Sequence, residues 1–352
     1  MQEIKEKNGW QFDYSAVEPL DWEQLRTLLW NALDKFPATT TKRWESISEY
    51  VNQHCPNSTA QSPATYQTVF ERIISSASPM DEQSTETIDG CKLWTKILYQ
   101  TAQSIFSPNP VFMNLGFVDL DSSAPALELD QDDEIYRLAI QLYRHVIGDT
   151  DLTGKDVLEV GCGCGGGGSY LTRTNPLKSY VGVDLLPRHI DICNKLHSLP
   201  NLSFQVGDAE NLPFPEQSFD VLINIESSHS YPSMEKFLSE VKRVLRPGGE
   251  FRLADLRPTN NEWNSGRNLN ALRSLLDQSG LRLIAQTNIT DNVLAAMDAL
   301  ENAKQMMLDF NHVSGPNRRH FEEIMLCHGS LNYLKLKNRE WEYWSFVLRR
   351  ET

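Results

Sequence analysis

From residue 152 onward, short apolar runs alternate with segments whose apolar residues recur every three or four positions. Runs of five or six apolar residues are typical of buried strands, and the second spacing is typical of amphipathic helices. Alternation of this kind indicates a mostly parallel sheet with helices on its faces, an α/β fold. The pattern predicts strands over 156–160, 179–183, 202–206, 221–225 and 250–255, and helices over 166–174, 187–197, 233–245 and 268–279.

Two further helical patterns precede the sheet, at 93–106 and 132–147. The second of them is predicted to turn Ile135 and Leu142 inward. We therefore expect one larger domain to span 91–352.

An insertion at 291–340 interrupts the predicted core of this domain, which we place at 151–290 and 341–350. Within the insertion, 293–310 carries an apolar stripe at helical spacing. The stripe predicts either a lid over a pocket or a face packed on the core.

The N-terminal part carries three short helical patterns, at 21–33, 41–51 and 63–74. Together they predict a small three-helix module over 17–76. The small, acidic and turn-forming residues that follow predict a linker over 77–90.

The amino-acid sequence of this module resembles the Myb/SANT-like repeat, and it is most similar to the version in zuotin-type Hsp40 cochaperones. The resemblance is carried by Ala-Leu-Asp-Lys-Phe-Pro at 32–37 and Arg-Trp-Glu-Ser-Ile at 43–47. Myb repeats often bind DNA through a basic third helix, but here five basic residues face seven acidic ones between Val17 and Ile74. Because a DNA-binding face needs several cations, we expect a protein partner or plain packing rather than nucleic acid.

Charge and composition narrow the possible partners further. The net charge is -14, from 33 basic and 47 acidic side chains, which argues against a surface for nucleic acid or anionic membrane. No run of about 18 apolar residues is present, and the N-terminal stretch has no hydrophobic signal core, so we expect a cytoplasmic protein without a membrane span. The six cysteines lack disulfide or zinc spacing, and we expect them to be reduced, with no metal bound. In particular, Cys162 and Cys164 are interpreted as small residues in a glycine-rich loop.

The first predicted strand runs directly into Gly-Cys-Gly-Cys-Gly-Gly-Gly-Gly at 161–168, a backbone almost without side chains. Two further strands end on Asp184 and Asp208. Because the carboxyl ends of parallel strands converge at one crevice, these residues predict a single nucleotide-shaped pocket.

The position of one acid decides which nucleotide the pocket suits. Glu159 lies before the glycine loop, where it suits the ammonium group of an amino acid better than a pyrophosphate. Asp184 then suits ribose hydroxyls, and Asp208 with Ala209 suits an adenine. Amino acid, ribose and adenine together indicate S-adenosylmethionine (SAM). The predicted cofactor-binding residues are Glu159, Gly161, Cys162, Gly163, Asp184, Leu185, Asp208, Ala209, Asn224 and Ile225.

The order of these motifs resembles that of class I SAM-dependent methyltransferases. The resemblance implies a Rossmann-like, mostly parallel seven-stranded sheet with an antiparallel last strand. In that family, the two apolar runs at 281–289 and 341–349 form an antiparallel pair at the sheet edge.

Over roughly 93–350 the chain is similar to O-methyltransferases of the phthiotriol dimycocerosate type and of polyketide synthases. The likeness includes Asn-Leu-Gly-Phe at 114–117 and Glu-Ser-Ser-His-Ser-Tyr-Pro at 226–232. It implies that His229 is the general base and that Glu226 is its acidic partner. The chain departs from the family in having Cys164 where histidine is common.

Acceptor contacts are predicted at the ends of the later strands and in the segment before the sheet. The candidate residues are Asn114, Phe117, Tyr231, Asp255 and Arg257. Capping of the loop after the fifth strand explains the last two equally well.

These observations predict a SAM-dependent O-methyltransferase for a hydroxyl group of a small lipid-like or polyketide-like compound. An alcohol or phenol must lose its proton, which calls for a base such as histidine. Two alternatives stay open: an N- or C-methyltransferase of a small metabolite, and a SAM-sensing chaperone or chromatin adaptor without turnover.

Overall fold

The computed structural model describes residues 42–54, 111–121, 123, 126–260, 268–311 and 315–351, with only the backbone at 43, 315–317 and 320. Helix α1, Arg43–His54, overlaps the second helical pattern of the predicted N-terminal module, 41–51. It belongs to one compact unit of the chain, and the residues from 111 onward belong to another. The other two predicted helices of the module, the linker and the pattern at 93–106 lie outside the described residues.

The second unit is built on a seven-stranded sheet with the order β3-β2-β1-β4-β5-β7-β6. Neighbouring strands from β3 to β5 pair in parallel, and β7 pairs antiparallel with both β5 and β6. The predicted Rossmann-like sheet with an antiparallel last strand is therefore confirmed. The strands are β1 Asp156–Val160, β2 Ser179–Asp184, β3 Leu202–Val206, β4 Phe219–Ile225, β5 Leu245–Pro258, β6 Leu281–Asn288 and β7 Trp341–Arg350.

Helices of this unit connect the strands and cover the sheet. Two single turns of 3-10 helix, Glu134–Tyr136 and Ser228–Ser230, complete the pattern. The helices are α2 Arg137–Ile147, α3 Gly166–Thr174, α4 Pro187–Leu196, α5 Met234–Val244, α6 Leu269–Gln278, α7 Thr290–Phe310, α8 Gly315–Ile324 and α9 Leu331–Lys337.

Alternation along β1 shows how the two faces of the sheet are filled. Val157 belongs to the apolar cluster formed with α2, α3, α7 and α9, while Leu158 belongs to the cluster formed with α5 and α6. Since successive strand residues point to opposite faces, Glu159 lies on the same side as Val157. A carboxylate is thereby placed beneath α2 and α3.

Two sequence-based details need correction, and the structure favours one of two alternatives left open for a third. Ile135 is 74% exposed rather than inward, because the α-helix begins only at Arg137 and a 3-10 turn precedes it. Strand β5 begins at Leu245, five residues earlier than predicted. Helix α7 buries Val293 and Met297 in the core cluster, so its apolar face takes the core-packed alternative.

Candidate functional site

The glycine loop after β1 is shaped by a close approach of the turn after β4. Gly161 has a φ of +79°, and a Cβ added there would lie 2.0 Å from Ser227 Oγ. Only glycine tolerates both this left-handed backbone conformation and so close an approach of a neighbouring side chain. The loop therefore presents bare backbone at the carboxyl end of the sheet.

Asp184 holds this loop from the end of β2. Its Oδ2 accepts a 2.9 Å hydrogen bond from Gly163 N, and its Oδ1 accepts one from Leu186 N and contacts His189 Nδ1 at 3.0 Å. The side chain is buried, so the loop and the start of α4 are joined through one carboxylate. Its role toward a ribose stays a prediction.

Glu159 is buried between two tyrosines. It accepts hydrogen bonds from Tyr143 Oη at 2.6 Å and Tyr180 Oη at 2.8 Å. Burial raises the pKa of this carboxyl to about 7, and the two hydroxyl donors oppose that rise. Both carboxylate oxygens are thus engaged by the helix and strand that flank β1, and an interaction with an ammonium group stays a prediction.

Asn224 near the end of β4 offers an acceptor to the crevice. Its Nδ2 donates to Val160 O at 2.8 Å and to Tyr231 Oη at 2.9 Å. Its buried Oδ1 accepts no hydrogen bond from any residue that the structure describes. Because an unsatisfied buried acceptor is costly, this oxygen fits a ligand that brings an N–H donor, such as the ammonium of SAM.

The remaining predicted donor-site residues also lie at strand ends. Leu185 directly follows β2, Ala209 is buried after β3, and Ile225 is buried at the end of β4. Asp208 Oδ1 accepts a 3.0 Å hydrogen bond from Glu210 N and so shapes its own turn. The bare loop, the strand-end carboxylates and the open acceptor of Asn224 together fit a molecule of SAM.

His229 lies on the turn after β4 and is held by Asp255 on β5. His229 Nδ1 is 2.7 Å from Asp255 Oδ1, and His229 N donates to Asp255 Oδ2 at 2.9 Å. Burial alone raises the pKa of Asp255, but Arg257 and His229 outweigh it and bring that pKa well below its usual range. With Asp255 ionised, Nδ1 is the donor of the pair, and Nε2 of a neutral imidazole keeps its lone pair.

The acid beside His229 is therefore Asp255 and not Glu226, and the predicted pairing with Glu226 was wrong. Glu226 points elsewhere because its backbone is left-handed, with a φ of +48°. Its carboxyl accepts hydrogen bonds from Leu115 N at 2.8 Å and from Tyr343 Oη at 2.9 Å. Burial raises the pKa of Glu226 to about 8.

A cavity of about 230 Å³ adjoins this pair. Arg257 forms part of its wall and is itself tied down, since it contacts Asp255 at 2.8 Å and donates to Ser228 Oγ at 2.7 Å. The wall combines polar residues with apolar ones from α5 and α6. Its lining residues are Ser228, His229, Tyr231, Pro232, Ser233, Met234, Glu235, Arg257, Leu272 and Leu275.

The predicted acceptor residues are only partly brought together. Tyr231 and Arg257 line the cavity, and Asp255 is buried beside His229. Phe117 lies instead in the core, where its ring stacks on His145 at 4.6 Å. Asn114 Oδ1 accepts from Gly116 N at 2.9 Å, which makes it a turn-forming residue.

Several residues of the site were missed by the sequence interpretation. Ser228 Oγ donates to Asp255 at 2.6 Å, and Ser227 Oγ lies 2.7 Å from Tyr231 Oη. Their signal was present in the polar run after β4, but only the pairing of β4 with β5 shows which acid they reach. Tyr143 and Tyr180 gave no sequence signal, since each also suits a core.

The cysteines near the loop are small buried side chains. Cys162, Cys164 and Cys193, and Cys327 in the apolar cluster with Leu308 and Phe321, form no disulfide bonds among the described residues. Over the described ranges, no group of three or more His, Cys, Asp or Glu side chains is placed to hold a metal ion. None of the helices described in this structure combines the length and hydropathy needed to span a bilayer.

Comparison with known proteins agrees with this geometry. The family description "Methyltransferase domain" matches residues 158–253. The "Fatty-acid O-methyltransferase" of Mycolicibacterium smegmatis is 39% identical over 241 residues, which cover 65% of this chain and 84% of that enzyme. The "Phthiotriol/phenolphthiotriol dimycocerosates methyltransferase" of Mycobacterium tuberculosis is 51% identical over 168 residues, covering 48% of this chain and 60% of that enzyme.

Among solved structures, the fold is similar to that of a geranyl diphosphate C-methyltransferase from Streptomyces coelicolor in complex with S-adenosyl-L-homocysteine. The TM-score is 0.51 at 15% identity, and the match covers 69% of this chain and 94% of that one. At this identity the likeness concerns the fold alone. The bare loop and strand-end residues, together with the long match to the Mycolicibacterium enzyme, show that the chain belongs to the SAM-dependent methyltransferases.

Proposed function

We propose that this enzyme methylates a hydroxyl group of a small lipid-like or polyketide-like metabolite, with His229 as the general base. The contact of 2.7 Å between His229 Nδ1 and Asp255 Oδ1, beside a cavity, carries the proposal. The names of the relatives, a fatty-acid and a phthiotriol methyltransferase, support a lipid-like acceptor.

SAM supplies an electrophilic methyl group. We assign SAM binding to the bare loop at 161–163, to Asp184 and Asp208, and to the Oδ1 of Asn224. Because the donor is already activated, much of the rate comes from holding the acceptor in place. That holding falls to the cavity walls, with Met234, Leu272 and Leu275 for an apolar body.

A hydroxyl acceptor gives His229 a defined task. An alcohol is a poor nucleophile until its proton leaves, and a positioned base contributes roughly a 100-fold to 10,000-fold rate increase. Asp255 fixes the proton on Nδ1, so Nε2 takes the hydroxyl proton, and the imidazolium that forms is stabilised by the same carboxylate. The Asp255 side chain has no exposed surface, which strengthens this interaction.

The charges around the cavity favour a neutral acceptor over a carboxylate. Arg257 is the only Lys or Arg among the described lining residues, and its guanidinium already pairs with Asp255. Glu235 adds a negative charge to the wall. Among the described lining residues a carboxylate would find no unshared cation, whereas a neutral hydroxyl meets a histidine that can accept a proton.

Replacement of His229 by alanine tests the proposal. With SAM carrying an isotopic label and extracts of long-chain alcohols, phenols and fatty acids, the wild type is expected to give ethers. His229→Ala should lower kcat by about 100-fold or more. Labelled N- or C-methyl products, or a variant that keeps its rate, would contradict the proposal. SAM binding without any product would support the adaptor alternative instead.

A further inference from the structure

The segment 111–117, called here the covering segment, lies against the glycine loop and the start of α3. Met113 Sδ is 3.1 Å from the position that a Cβ on Gly163 would take, and 3.8 Å from Cys164 Sγ. Val111 O is 2.7 Å from the corresponding position on Gly166. The covering segment therefore forms one wall of the donor site.

The two ends of the covering segment are held by packing and by main-chain contacts. The Phe112 ring packs edge-on against Tyr143, with 5.9 Å between ring centroids. Phe117 N donates to Leu138 O at 2.9 Å, and Val118 N just beyond it donates to Asn292 O at 3.1 Å. These contacts join the segment to α2 and α7.

Its middle is held by the side chain of Glu226, which directly follows β4. Leu115 N lies 2.8 Å from Glu226 Oε1 and 3.1 Å from Oε2, so one amide donates to both carboxylate oxygens. Tyr343 Oη on β7 donates to the same carboxyl at 2.9 Å. Because the carboxyl is buried, losing it would leave these two donors without their partner, which costs more than an exposed hydrogen bond.

The backbone of Glu226 adds a second observation. Its φ of +48° is an unusual conformation for a residue with a side chain, and Glu226 N also donates to Ala254 O at 2.9 Å. Such strain persists where the surroundings fix it, and it is frequent at functional sites. Here the strained turn aims the carboxyl away from His229 and toward the covering segment.

We propose that Glu226 is a positioning residue that fastens the covering segment over the glycine loop and thereby sets the affinity for SAM. It acts through Leu115 N and touches neither the donor nor the acceptor. The proposal rests on the glycine loop as the donor site and is independent of which acceptor is methylated.

The experiment compares three variants in two measurements that need no turnover. Glu226→Gln keeps an oxygen acceptor for Leu115 N, whereas Glu226→Gly removes it and suits the left-handed backbone. Glu216→Ala, at an exposed glutamate, is the control. Affinity for S-adenosylhomocysteine is measured by calorimetry, and hydrogen exchange of the peptide 111–117 is followed in the free protein.

Glu226→Gly should weaken S-adenosylhomocysteine binding by about tenfold or more, as expected for loss of a buried hydrogen bond. Exchange in the covering segment should become faster in the same variant. The affinity of Glu226→Gln for S-adenosylhomocysteine should stay within about threefold of the wild-type value, as should that of the control Glu216→Ala. If Glu226→Gly does not fold, Glu226→Asn replaces it, since asparagine also tolerates this conformation.

The proposal would be overturned if Glu226→Gly bound S-adenosylhomocysteine as tightly as the wild type and showed the same hydrogen exchange in the covering segment. Equal damage in Glu226→Gln would also overturn it, because the negative charge and not the tether would then matter. Neither result would affect the assignment of His229, which depends on the rate of methyl transfer.

Discussion

His229 Nδ1 lies 2.7 Å from Asp255 Oδ1, although 26 residues separate the two in the chain. Parallel pairing of β4 with β5 aligns Ile225 with Ala254 and so brings the turn after β4 next to Asp255 on β5. The sheet register, rather than any local motif, selects the acid that orients the histidine.

Asp255→Asn should lower kcat by about 100-fold or more while leaving S-adenosylhomocysteine affinity within about threefold, because an asparagine cannot stabilise the imidazolium or enforce the Nδ1 proton. Steady-state kinetics and calorimetry check both expectations. Asp298→Asn is a matched control, since it breaks a His328–Asp298 contact of the same 2.7 Å length at the surface. If both variants lose the same small amount of activity, the dyad has no catalytic role.

Gly161→Ala should abolish S-adenosylhomocysteine binding, because its Cβ would lie 2.0 Å from Ser227 Oγ. The control is Gly154→Ala, at a φ of +67° with no atom within 4 Å of the added Cβ. There the cost is backbone strain alone, about 1–2 kcal/mol of unfolding free energy. Denaturant unfolding and calorimetry separate the two effects. Binding that survives in Gly161→Ala would show that the loop and the turn after β4 are not held together.

The donor half of the site was accessible from sequence because its signals are local. A glycine loop next to a strand and a polar residue at each strand end follow directly from the strand pattern, and β1 and α3 have the predicted bounds. Each signal needs only the rule that parallel strands end at one edge.

The partner of His229 was not accessible in the same way. Glu226 is three residues from His229 in sequence, yet a positive φ turns it toward Leu115. Propensity does not predict a left-handed glutamate, and the correct acid comes from a different strand. The prediction that Phe117 contacts the acceptor was wrong for a related reason. A motif shared with relatives does not show whether a ring lies in the pocket or in the core.

The contribution of Glu159 and Glu226 to the stability of the protein should decrease as the pH rises from about 5 to about 8. The pKa of Glu159 is raised by burial to about 7 and that of Glu226 to about 8, so the folded state holds protons that the unfolded chain releases near its ordinary value of 4.5. Stability that depends on a raised acid pKa is fully present below the unfolded value and is lost as the pH passes the folded value.

Denaturant unfolding at pH 5, 6.5 and 8 measures this effect. For Glu159 the loss is at most on the order of 3 kcal/mol. Glu159→Gln cannot titrate, so the difference in unfolding free energy between wild type and variant should shrink with rising pH. A difference that stays constant or grows would show that Glu159 is ionised throughout.

Leu275→Trp should raise KM for the acceptor without changing the affinity for S-adenosylhomocysteine. Leu275 lines the cavity beside His229 from α6, and a tryptophan there fills space that the proposal assigns to the apolar body of the acceptor. Leu331→Trp, at a side chain 48% exposed on α9, is the control. Since a lost or added methylene in an apolar pocket changes discrimination by about 10-fold to 200-fold, a bulky acceptor should be affected more than a short alcohol. Equal KM values for long and short acceptors in Leu275→Trp would place the acceptor elsewhere and leave the cavity without a role in substrate choice.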